Sequence, residues 1–133
     1  MRLVGFISEY ENIEEAEPLR DALVQVSGNE IYNSRILSYL EKGQLVFGWM
    51  GILRDIETGD WIGPKAYYTD GDWAWPVSFP YYLKKNPDMK IDKDFLDYLI
   101  TNDFVFSIKD EFTKDPVAFE MELIERLMKK VVH

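Results

Sequence analysis

The sequence predicts an α+β fold: one small antiparallel or mixed sheet, covered by several helices and ending in a long C-terminal helix. Three observations carry that expectation. Ala66-Tyr67-Tyr68-Thr69-Asp70-Gly71-Asp72-Trp73-Ala74-Trp75-Pro76 sets Asp-Gly between two β-prone runs, a strong short-range hairpin signal. Apolar residues recur at helical spacing in several segments on either side of it. The chain of 133 residues is 47% apolar and 29% charged, a globular composition, and no repeat, low-complexity tract or linker divides it. Residues 1–133 therefore read as one domain, long enough to bury about two thirds of its surface.

Taken in order, Leu3 to Ile7 is a short apolar run suited to a strand, weakened by Gly5. Pro18 to Val26 places Leu19, Ala22, Leu23 and Val26 on one helical face, with Ser27-Gly28 as the stop. Asn33 can cap a second helix through Lys42, and Gly43 supplies a left-handed end. Gln44 to Ile52 alternates with apolar residues on both faces, which predicts a central strand.

At the hairpin, a two-residue type I′ turn pairs Thr69 with Asp72, Tyr68 with Trp73 and Ala66 with Trp75. Ala66, Tyr68, Trp73 and Trp75 then share one face, and Tyr67 and Ala74 the other. Pro76 ends the strand. Ser78 is placed to cap a helix from Phe79 to Lys85, and Asp92 one from Lys93 to Thr101 that buries Phe95, Leu96, Leu99 and Ile100. Phe104 to Ile108 alternates like a late strand. Asp115 and Pro116 start a long helix whose apolar arc holds Phe119, Leu123 and Leu127, and also Val117, Met121, Ile124, Met128 and Val131. So wide an arc calls for deep packing or a partner, a second copy included.

Composition excludes several chemistries. Cysteine is absent, which removes disulfides, thiolate zinc sites and cysteine nucleophiles. The single histidine is His133, so histidine triads and multi-histidine metal sites go too. No cofactor or metal is expected. There are 15 basic against 24 acidic residues, a net charge of −9, which disfavours direct binding of nucleic acid. No apolar run reaches the roughly 20 residues of a membrane span, and the N-terminus turns acidic by Glu9, unlike a signal peptide. A cytoplasmic location is the expectation.

Two groups of residues invite a functional reading. Glu9, Glu11, Glu14, Glu15 and Glu17 form an acidic segment that is either a solvated loop or a docking surface for a basic partner. Asp70 and Asp72 straddle the hairpin tip beside Trp73 and Trp75, an arrangement a small hydrolase or sugar-binding module could use. Turn chemistry alone also accounts for both aspartates. Aromatic residues reach 15%. Trp49, Trp73 and Trp75 suit a core, whereas Trp61, Tyr67, Tyr81 and Tyr82 suit an interface, where amphipathic rings are enriched.

From about Asn33 to Phe104 the chain resembles a family of small, uncharacterised bacterial cytoplasmic proteins. The resemblance rests on SRILSYLEKG, the dipeptide Arg54-Asp55, YYTDGDWAWP, Tyr81-Tyr82-Leu83 and IDKDFLDYLITNDF. Pro80 and Asn86-Pro87-Asp88 depart from it. The resemblance implies a single α+β domain and assigns no catalytic residue. In size, acidity and aromatic content the chain is also similar in type to immunity proteins that neutralise bacterial toxins. The expectation is therefore a non-enzymatic protein-binding module for a basic partner.

Overall fold

Strand order and pairing follow from where the chain can hide its aromatic residues. The computed structural model describes residues 1–131, so His133 lies outside it. Its elements are β1 (Arg2–Leu3), α1 (Leu19–Ala22), α2 (Asn33–Glu41), β2 (Gln44–Arg54), β3 (Trp61–Thr69), β4 (Trp73–Pro76), α3 (Ser78–Lys85), α4 (Lys93–Thr101), α5 (Asp110–Thr113) and α6 (Pro116–Met128). The sheet runs β1-β4-β3-β2; β1 is parallel to β4 and the other pairs are antiparallel. The fold is α+β with a mixed sheet. No described helix is long and apolar enough to cross a membrane.

Period-two alternation splits the core in two. Trp73 and Trp75 face one side, where α2, α3 and α4 bring Ile36, Tyr39, Leu40, Phe79, Leu83, Phe95 and Leu99. Ala74, Tyr67 and Phe47 face the other, against Leu3, Phe6, Ile13 and the Leu123 and Leu127 of α6. The hairpin turn differs from the two-residue form: Thr69 pairs with Ala74, Tyr68 with Trp75 and Tyr67 with Pro76. The shift is by two residues, so every side chain keeps its predicted face. The longer loop forms because Asp70 avoids positive φ and instead accepts the N–H groups of Asp72 and Trp73, both at 2.8 Å.

Several local expectations give way to tertiary packing. β2 is an edge strand rather than a central one, and its two apolar faces leave Leu45, Trp49, Met50 and Ile52 exposed. A bulge between Gly48 and Ile52 bends it. The first strand stops at Leu3, since Gly5 takes a φ of 78° against the ring of Phe79. The predicted Pro18–Val26 helix shrinks to one turn, because Val24, Gln25 and Val26 pair with the 88–90 segment instead. Asn33 donates to the Leu83 carbonyl rather than capping α2.

Gly43 is not left-handed. It admits the Trp75 ring, which a Cβ would meet at 2.5 Å. Ser78 opens α3 without a side-chain cap bond. Phe104–Ile108 forms no strand; Asp103 and Phe104 have positive φ, and Phe106 packs its edge on Tyr39. Asp92 and Asp115 cap α4 and α6 as expected, each at 3.0 Å. In α4, Phe95 and Leu99 are buried but Ile100 is exposed, and α6 ends before Val131.

Candidate partner-binding surface

The acidic segment folds back on the protein rather than standing free. Glu9 accepts the Leu19 N–H at 3.0 Å and so closes the start of α1. Glu15 pairs with Arg126 at 2.5 Å and Glu17 with Lys90 at 2.7 Å. Glu11 is buried: it accepts a hydrogen bond from the Tyr67 hydroxyl and lies 3.5 Å from Lys65 and 3.4 Å from Lys130. Burial raises the Tyr67 phenol well above its ordinary range, and the hydrogen bond and charge of Glu11 add to this. Among the described residues, Glu14 is exposed without an ion-pair partner. Glu11 and Tyr67 therefore belong inside the protein, and neither is available to a partner.

Asp70 is likewise interior, contrary to a solvent-facing turn tip. The 107–110 segment folds over the loop: the Lys109 N–H donates to the Asp70 carbonyl at 2.7 Å. One carboxylate oxygen holds the two loop N–H groups. The other accepts the hydroxyls of Tyr39 and of Tyr98, the latter at 2.9 Å. Tyr98 also lies 3.1 Å from Asp72, so its hydroxyl fills the gap between the two aspartates. Burial raises the Tyr39 and Tyr98 phenols, and the neighbouring Asp70 pushes them further.

A third buried carboxylate, Asp55, was missed as a site residue although it sits in the Arg54-Asp55 dipeptide. It accepts from Lys85 at 2.7 Å, Tyr81 at 2.8 Å, and the N–H groups of Glu57 and Thr58. Burial pushes its pKa up, but the Lys85 ammonium, the Tyr81 hydroxyl and the two N–H groups outweigh burial and hold it well below the carboxylate range. Tyr81 is thus a structural ligand of Asp55, with its ring edge-on to Tyr82. No signal short of the fold joins these residues, since 26 positions separate Asp55 from Tyr81.

What the surface does expose is apolar. Trp61 is 59% exposed and Met50 fully so, with Leu45, Trp49, Ile52 and Ile56 along the same hairpin. On α6, Val117, Met121 and Met128 are each about two thirds exposed. A separate cleft of about 470 Å³ lies between the 3–7 segment and the 89–93 segment, lined by Val4, Phe6, Phe79, Met89 and Ile91, with Glu17 and Lys90 also on its wall. Among the described residues no group of three or more His, Cys, Asp or Glu side chains is placed to hold a metal ion.

Comparison with known protein families, curated proteins and solved structures finds no match. The surface must therefore be read from its own chemistry. Of the eleven residues that the sequence offers for a partner or a site, Glu11, Tyr67, Asp70 and Tyr82 are interior, Tyr82 as part of the core and not of an interface. Glu9, Glu15, Glu17, Asp72 and Tyr81 bond within the chain, and Glu14 and Trp61 face outward.

Proposed function

We propose that the chain is a non-enzymatic protein-binding module for a basic partner, and that its most specific form is an immunity-type inhibitor covering a bacterial toxin's active site. The observation that carries this reading is the β2 edge. From Gln44 to Leu53 it has no charged side chain, although edge strands are ordinarily guarded by charges. Its bulge turns Met50 fully outward, and Ile56 and Trp61 extend the exposed apolar surface. An exposed apolar edge without charges is the kind of surface that an interface uses. The net charge of −9 would speed capture of a basic partner and reject acidic ones.

The alternative, hydrolysis or sugar binding at Asp70 and Asp72, asks for an open gap between the two carboxylates. The Tyr98 hydroxyl fills that gap and Asp70 is wholly buried.

The test is co-expression with the product of the neighbouring reading frame, which this reading expects to be toxic. The parent chain is expected to restore growth and to form a complex whose association slows as salt rises. Trp61→Ala with Met50→Lys should lose rescue while keeping the parent's melting temperature. Undiminished rescue by that stable variant overturns the β2 edge as the interface. Absence of any complex overturns the module reading itself.

A further inference from the structure

We infer that the outward face of α6 is a second docking site, and that its occupant is an amphipathic helix with a basic flank, supplied by another protein. The inference rests on the binding-module reading for the existence of a partner. It goes beyond that reading in the element used and in the partner's secondary structure.

α6 is apolar on two sides. Phe119, Leu123 and Leu127 are buried against the sheet. Val117, Met121, Ile124 and Met128 recur at i, i+4, i+7 and i+11 and form a second stripe, the spacing of a helix–helix seam. Ile124 is half-buried beside the core, and the other three are each about two thirds exposed. Ala118, Glu122, Glu125 and Lys129 line the groove beside that stripe. Two of its four members are Met, whose flexible thioether adapts to an incoming surface.

The flanks decide the occupant. Helical geometry sets Glu120 on one side of the stripe, with Glu125 and then Glu122 on the other. The one cation within α6, Arg126, lies on the opposite side and is held by Glu15 and the Met1 carbonyl. Lys129 stands only at the C-terminal rim. A second copy of this chain fits poorly. Paired in parallel, Glu120 would meet Glu125 of the copy; paired antiparallel, the Glu122/Glu125 flank would lie along the same flank of the copy. Both arrangements set like charges together. A helix with lysines or arginines beside an apolar stripe answers both the seam and its flanks.

The probe is a helical Leu/Ala/Lys peptide with leucines at i, i+4, i+7 and i+11 flanked by lysines, and a twin with glutamates for the lysines. Binding to the full chain is read by calorimetry at two salt concentrations, and self-association by sedimentation. The lysine peptide is expected to bind and to weaken with salt, and the glutamate twin not to bind. Met121→Ser with Met128→Ser should weaken binding about tenfold or more, since these residues would fill the seam. Glu120→Gln with Glu125→Gln should remove most of the salt dependence. All four residues lie off the buried stripe, so circular dichroism should match the parent.

Equal affinity in the serine variant means charge attraction alone and overturns the proposal. So does equal binding of both peptides, or binding of neither. A parent dimer that the serine variant dissolves makes a second copy the occupant and overturns it as well. If the peptide fails while the β2 variant still abolishes toxin rescue, the module reading stands and only the α6 site falls.

Discussion

Asp70 offers the sharpest quantitative test of the fold, because a wholly buried carboxylate here has no cation beside it. Its four partners are the N–H groups of Asp72 and Trp73 and the hydroxyls of Tyr39 and Tyr98. Hydrogen bonds to a charged group contribute about 1.5–3 kcal/mol, and neutral ones about 0.5–1.5 kcal/mol. Asp70→Asn keeps an oxygen for the two N–H groups but replaces the other with an NH2 group, so the two hydroxyls can no longer donate to it and at best accept weaker neutral bonds, a loss of about 2–3 kcal/mol. Asp70→Ala orphans two N–H groups and the Tyr39 hydroxyl at about 1–3 kcal/mol each. The three together come to about 3–9 kcal/mol, a large share of the stability of a chain this long, about 7–20 kcal/mol. Tyr39 has Asp70 alone as acceptor, whereas Tyr98 can turn to Asp72. Tyr39→Phe should therefore cost more than Tyr98→Phe. Urea unfolding at constant m-value measures each, and the Tyr39/Asp70 double-mutant cycle should show about 1–2 kcal/mol of coupling. Asp70→Asn within about 0.5 kcal/mol of the parent, or Tyr98→Phe costing more than Tyr39→Phe, would refute this account of the loop.

Gly71→Ala should destabilise by about 2–4 kcal/mol and Gly71→Asn by no less. A Cβ there meets the Lys109 Cβ at 2.6 Å and its backbone at 2.9 Å, so Asn's tolerance of positive φ gives no relief; near-parental melting of Gly71→Asn would contradict this. The depressed pKa of Asp55 contributes stability that is fully present above the unfolded carboxylate value of about 3.9 and is lost as pH falls below it toward the folded value. Stability against pH should thus show an acid limb that Asp55→Asn flattens, and an unchanged limb in that variant would assign acid sensitivity elsewhere. In the acidic segment, Glu14→Lys should leave stability within about 0.5 kcal/mol of the parent. Glu11→Lys would set a third cation beside Lys65 and Lys130 and should abolish soluble folding; equal expression of the two variants would contradict the burial of Glu11.

The fold was legible where side-chain period alone decides it. Trp73, Trp75 and Ala74 took their sides of the sheet from alternation, and the sides survived a two-residue change in register because two is the strand period. The caps at Asp92 and Asp115 were legible because capping is local. Failures came where a distant segment outbids a local preference. The 88–90 segment takes Val24 to Val26 out of a helix, the Trp75 ring fills the space a side chain at Gly43 would need, and Phe106 gives up strand pairing to pack on Tyr39. β2 looked central because apolar residues on both faces usually mean burial on both faces. Here those residues remain exposed, which is why the misread strand is also the candidate interface.

The site residues show the same limit in their charges. Five glutamates in nine residues state a local field, but they do not state which of them the fold will consume. Glu11, Glu15 and Glu17 find Lys65, Lys130, Arg126 and Lys90, cations that lie tens of residues away in sequence. Internal pairing leaves the net charge of −9 untouched, so a long-range field that would attract a basic partner persists although Glu11, Glu15 and Glu17 are already paired. Steering and contact then fall to different residues. On the proposed function the field comes from the whole chain, and contact would fall to exposed apolar side chains such as Met50, Trp61 and Met121. Charge reversal at Glu14 should accordingly slow association without changing dissociation, while Trp61→Ala should do the reverse.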